Sequence, residues 1–160
     1  MLLNLSGGTI GAGGLNGITF FDGAALTVED CEIYGMSGRG VRVFASGAKI
    51  VIKKTTVRGN GFRNVTFSGA LTVTMDSVHI LNSPIAVLVG PGLNMTISNS
   101  VIAGGNDVVG AGFGVKAQTD ASARVNLAIE HSVIRASDTG HAATPARRAP
   151  PVAHSRTPVA

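Results

Sequence analysis

Apolar residues recur along the chain in one unit: apolar, any, apolar, about four small or polar residues, then apolar again. Six copies start at Leu3, Leu26, Ile50, Leu71, Met95 and Leu127, spaced 23, 24, 21, 24 and 32 residues apart. Two residues after each start stand Leu5, Val28, Ile52, Val73, Ile97 and Ile129. Seven residues after it stand Ile10, Ile33, Val57, Val78, Ile102 and Ile134. Within LTV (26–28), IVI (50–52), LTV (71–73), MTI (95–97) and LAI (127–129) the period is two with β-branched enrichment, which predicts short strands rather than helices. A second strand pattern follows in most copies: ITFF (18–21), VRVF (41–44), VTF (65–67), IAVLV (85–89) and FGVKA (113–117), separated from the first by Gly-rich corners. Such short strands cannot bury a face alone, so stacked turns of parallel strands are expected. The fold class predicted is all-β, a β-solenoid of about six short rungs over residues 1–137. The second and third apolar columns are expected to form two continuous buried ladders.

LTVEDCEIYGMSGRGVRVF and MTISNSVIAGG resemble rungs of the right-handed parallel β-helix, the pectin-lyase-like superfamily, and the resemblance spans about residues 3 to 137. The right-handed coil is what the resemblance implies. Its repeated columns are core positions, so it speaks for architecture and hardly for activity. Lyases of the superfamily use a calcium-binding acidic cluster with a basic proton acceptor, and some epimerases carry an Asp-Pro-His-Asp motif; neither is matched here. The acidic-cluster role would fall only on Glu29, Asp30 or Glu32, all on one rung.

Composition alters this picture mainly at one end. After Ser137 the apolar period stops, and residues 138–160 hold four of the six prolines and six alanines, an irregular Pro/Ala/Arg-rich tail. The net charge of +4 divides into 10 basic against 8 acidic side chains up to residue 137, with 3 against 1 beyond it. A nearly balanced body does not point to nucleic acid, and no run of about 18 apolar residues points to a membrane. A single cysteine, Cys31, excludes an internal disulfide, and four scattered histidines give no zinc spacing. No cofactor and no metal is expected. No signal peptide is visible, although relatives of this fold are often exported, so the compartment stays open.

Stacking turns the search for a site into a search for columns. Eight residues after each start come Gly11, Tyr34, Arg58, His79, Ala103 and Arg135. Tyr34, Arg58 and His79 would present an aromatic and two donors along one outward line, with Arg135 further on, suited to an acidic saccharide. Glu29 over Lys53 and Asp30 over Lys54 read as structural charge pairs. Asp76 is expected in an inward column of small residues with Gly8, Cys31, Thr55, Ser100 and Ser132, held by a turn cap or the Thr55 and Ser100 hydroxyls. The Gly-rich stretches GAGGLN (11–16) and GAGFG (110–114) precede no helical pattern and read as corners. The long interval between Met95 and Leu127 must bulge as a loop, and Asn106 to Arg124 is the next candidate surface.

The expectation is a non-catalytic β-helix module binding carbohydrate or protein through an exposed face, with an acidic polysaccharide as candidate ligand. Self-association through solenoid ends or faces is expected, because no polar cap is visible at either end. The alternative is a fragment of a polysaccharide lyase, hydrolase or epimerase of the superfamily.

Overall fold

The computed structural model describes residues 2–11, 13–105, 112–118 and 124–136. The tail at 138–160 and positions 106–111 and 119–123 of the long loop lie outside the described residues.

Every regular element among the described residues is a strand, and all pairing is parallel. The first sheet stacks Leu2–Ser6, Ala25–Glu29, Lys49–Lys53, Thr72–Asp76, Asn94–Ser98 and Asn126–Glu130 in chain order. The second stacks Thr9–Ile10, Glu32–Tyr34, Thr56–Arg58, His79–Leu81, Val101–Ala103 and Val133–Arg135. The third holds five strands, Asn16–Phe20, Arg39–Phe44, Arg63–Ser68, Ile85–Val89 and Phe113–Ala117. The chain therefore visits the three sheets in turn, and each circuit lies on the one before.

Alternation decides what is buried. In the first sheet Leu26, Val28, Ile50, Ile52, Met75 and Ile97 point inward and have essentially no exposure, and Ile33, Val57, Ile80 and Ile102 do the same in the second. Each such side chain contributes about 1.5–3 kcal/mol relative to leaving it in water. The third sheet adds Ile18, Phe20, Val41, Val43, Val65, Phe67, Val87 and Val89. Burial weakens at the outer rungs: Leu5, Ile10 and Ile134 are half-buried, and Ile129 is 45% exposed.

The corner between the first two sheets repeats one conformation. Gly7, Asp30, Lys54, Ser77, Asn99 and His131 all adopt left-handed φ, between 45 and 63°. Their N–H groups donate to the next rung, from Gly7 to Glu29 O, Asp30 to Lys53 O, Lys54 to Asp76 O, Ser77 to Ser98 O and Asn99 to Glu130 O. The following residue turns inward and is small. There the Thr55 and Ser100 hydroxyls donate to Lys53 O and Ser98 O and accept the N–H of Cys31 and Val78 on the preceding rung.

This corner corrects the expected register of the fourth rung by two residues. Val73, not Leu71, stands beside Ile50 and Met95; Met75, not Val73, beside Ile52 and Ile97; and Ile80, not Val78, beside Val57 and Ile102. Residues 71, 73, 75, 78 and 80 are all apolar and all buried, so apolar spacing alone satisfies either phase. With Ser77 at the left-handed corner, Val78 takes the small inward place assigned to Asp76. Asp76 moves to the outward column, beside Lys53 and Ser98.

Two further features build the interior. Asn60 and Asn64, nearly without exposure, form a closed relay: Asn60 Nδ2 donates to Asn64 Oδ1 at 2.7 Å, Asn64 Nδ2 to Leu81 O at 2.7 Å, and Met36 N–H to Asn60 Oδ1 at 2.9 Å. A Cβ on Gly40 would strike the Val57 side chain and come within 2.8 Å of Asn64 O, so the third sheet closes against the second only where a side chain is missing.

Candidate functional site

The two-residue correction breaks the expected line of donors. Tyr34 and Arg58 do stand in register on neighbouring strands. The next place is taken by Leu81, however, and His79 lies two residues earlier, between Thr56 and Val101. Arg135 pairs with Ala103 and is exposed, two rungs beyond Leu81. Arg58 is also engaged: its Nη2 lies 2.8 Å from Glu32 Oε1, its Nε donates to the same oxygen at 3.0 Å, and its guanidinium carbon sits 4.8 Å from the Tyr34 ring centroid. That pair is half-exposed and is worth at most about 1 kcal/mol. It does, however, occupy the charge that an acidic ligand would need.

A denser constellation lies on the outer face of the third sheet. Along one outward column stand Asn16, Arg39, Arg63, Ile85 and Phe113, and along the next Thr19, Arg42, Thr66, Leu88 and Lys116. The two columns are three residues apart because alternation breaks between them: Gly40 with Val41, and Asn64 with Val65, are buried in succession, and the residues on either side turn outward. Four of the protein's six phenylalanines, Phe21, Phe44, Phe62 and Phe113, are exposed at the margins of the face. Each meets a cation. Arg39 and Arg63 lie over Phe62 at 5.2 and 4.0 Å, Arg42 over Phe21 and Phe44 at 5.8 and 5.0 Å, and Lys116 over Phe113 at 4.6 Å.

Electrostatics set this face apart from the rest of the surface. No residue of the five strands is acidic, and the only ion pair among the described residues is the Arg58–Glu32 pair on the second sheet. Burial and then the Arg42 charge hold the Arg39 guanidinium below its ordinary value; burial and then Arg39 do the same to Arg63. Nε of Arg39, Arg42 and Arg63, Thr66 Oγ1 and Asn16 Oδ1 are shielded from solvent without a hydrogen-bond partner. They are the only such side-chain atoms among the described residues, and all five lie on this face. The three Nε donors and the Thr66 hydroxyl, unpaired next to unneutralised charge, are unfavourable in isolation and become favourable when an anion arrives, whereas Asn16 Oδ1, an acceptor, needs a donor.

Apolar periodicity gives VRVF and VTF as strands without their stacking, so it does not bring Arg42 beside Thr66 or Arg39 beside Arg63. The signal available was the coincidence of Arg, Lys and Phe at the outward places of one strand set. Elsewhere, Asp76 accepts from Ser98 Oγ at 2.7 Å, Asn99 Nδ2 at 2.9 Å and Ser77 Oγ at 3.3 Å, so its partners are neither Thr55 nor Ser100. The Asn99 and Ser98 hydrogen bonds hold its carboxyl below the usual aspartate range, with Lys53 assisting. Among the described residues no three His, Cys, Asp or Glu side chains gather where they could share a metal ion.

In comparisons with known proteins, the family model described as "Right handed beta helix region" matches residues 4–145. No curated protein and no solved structure gave a match.

Proposed function

The chain belongs to the right-handed β-helix family, and from that premise we propose that it is a non-catalytic binding module whose ligand, an acidic polysaccharide, lies across the outer face of the third sheet. The observation that carries this reading is the convergence of Arg39, Arg42, Arg63 and Lys116 with four exposed phenylalanines and with every orphaned polar atom of the described residues. Guanidinium forks suit anionic oxygens, and phenyl rings suit the C–H faces of sugars. The face spans five rungs, so a chain ligand can touch several of them at once, each contact adding to the others without a deep pocket.

A binding role is preferred to catalysis because glycoside hydrolysis needs two carboxyl groups within about 5–9.5 Å across the bound sugar, and this face carries none. Retention on immobilised acidic polysaccharides tests the proposal. Arg39→Ala with Arg63→Ala should abolish retention while circular dichroism stays unchanged. Loss in an Arg58→Ala, His79→Ala variant instead would put the ligand on the second sheet. New reducing or unsaturated ends in the polysaccharide would make the chain an enzyme.

A further inference from the structure

We propose that Arg39 and Arg63 together form a subsite for a tetrahedral oxyanion ester, a sulfate or phosphate group carried on the saccharide chain, with Phe62 as its floor. This rests on the reading of the third sheet's outer face as the binding surface and narrows what that surface selects.

Arg39 and Arg63 are register partners on adjacent parallel strands, where backbones run about 4.8 Å apart. Like charges in such positions repel, and no carboxylate intervenes. Both guanidinium carbons reach the same phenyl ring, at 5.2 and 4.0 Å. The Phe62 ring thus gathers both guanidinium groups at one place on a sheet whose strands hold no acidic residue. On both side chains Nε has no partner and is shielded from solvent, so it meets a ligand only after the side chain shifts. Asn16, whose Oδ1 is also unpartnered, lies in register with Arg39, and Thr66 with Arg42, which extends the polar surface around the pair.

A carboxylate presents its two oxygens in one plane, and one fork engages both of them from a single side. A sulfate or phosphate ester presents three terminal oxygens on a tetrahedron, so it can receive one guanidinium edge on one side and the second on another. The geometry of two forks over one ring thus favours the tetrahedral group over the planar one. Arg42, held between Phe21 and Phe44 three residues further along its strand from Arg39, and Lys116 on the last strand of the sheet would meet neighbouring charges of the same chain.

The test compares equilibrium binding of dextran sulfate, dextran phosphate and polygalacturonate, matched in charge per length, at one ionic strength. Either ester should bind at least about tenfold more tightly than the polyuronate, the magnitude of one charge-assisted hydrogen bond, and the tighter of the two identifies the ester. Arg63→Lys keeps the charge but removes the fork. It should erase that preference by weakening the esters by about tenfold more than polygalacturonate, at an unchanged melting temperature, and Arg58→Lys should alter neither the esters' nor the polyuronate's affinity. Equal affinity for all three polymers would overturn the subsite and leave the face as a general polyanion surface. Absence of binding to any of them would remove the face as well. Displacement by an oligothymidylate at lower concentration than any polysaccharide would overturn both in favour of single-stranded nucleic acid.

Discussion

At Asp76 three neutral donors surround one carboxylate, and ionisation is what they reward. A carboxyl group whose pKa is lower folded than unfolded stabilises the fold above its unfolded value, and that contribution disappears as the pH falls through the folded value. Melting temperature should therefore decline below about pH 4, and Asp76→Asn should flatten part of that decline; an unchanged acid limb would remove Asp76 from the account. Lys54 illustrates a different local strain. It holds a φ of 45° with neither the short polar side chain of Asn99 nor the freedom of Gly7, and the left-handed region costs an ordinary L-residue about 1–2 kcal/mol. Lys54→Gly should raise stability by roughly 1 kcal/mol or somewhat less, after Gly's extra unfolded entropy, as read from chemical denaturation. Neither effect was legible in the sequence. Asp76 and Lys54 were each placed by column, and the conformation that determines their partners depends on a backbone corner which apolar periodicity does not encode.

Among the elements, the first and second sheets were read from the sequence nearly whole, because their inward places are filled by aliphatics at fixed offsets and their corners are short. The fourth rung slipped because Leu71 extends the alternation of Val73 and Met75 backwards, and a two-residue shift keeps the same face inward. The third sheet was found as strands but not as a face. Asn16, Arg39 and Arg63 each stand 13 residues after Leu3, Leu26 and Ile50, and only the two later strands depart from that offset, so this column was within reach of the repeat; the columns followed in the sequence ended at the second sheet. Its closure depends on absence: Gly17, Gly40 and Gly114 leave room where a Cβ would collide with the neighbouring strand or the second sheet. Gly40→Ala should therefore destabilise by about 1–3 kcal/mol through overpacking, a loss visible as a lower denaturation midpoint. A neutral outcome would mean that the Val57 side chain and Asn64 backbone move aside.

For the molecule as a whole, the outermost described strands are paired on one side only. Leu2 is 72% exposed at one end of the stack, and Leu127, Ile129 and Val133 are 38, 45 and 44% exposed at the other. We propose that such ends pair head to tail, a contact that would not close on itself. Weight-average mass by light scattering should rise with concentration, and a constant monomer mass at high micromolar protein would show that the ends are covered within one chain. The doubled alternation around residues 71–80 has a consequence in time rather than in space. A chain folding onto the third rung can dock two residues out of phase with Leu71, Val73 and Val78 still inward, and the error is sensed at the corners, where Met75 and Ile80 take the exposed places of Lys54 and Gly59 and Asp76 is carried inward, away from water and from its donors. Correcting it requires the rung to unzip. Refolding should then show a slow phase belonging to misdocked molecules. Ser77→Gly, which favours the left-handed corner in the native phase and weakens the strand in the other, should shrink its amplitude in stopped-flow traces. A single unaltered exponential in both proteins would mean that the corner forms before the strand and sets the phase from the outset.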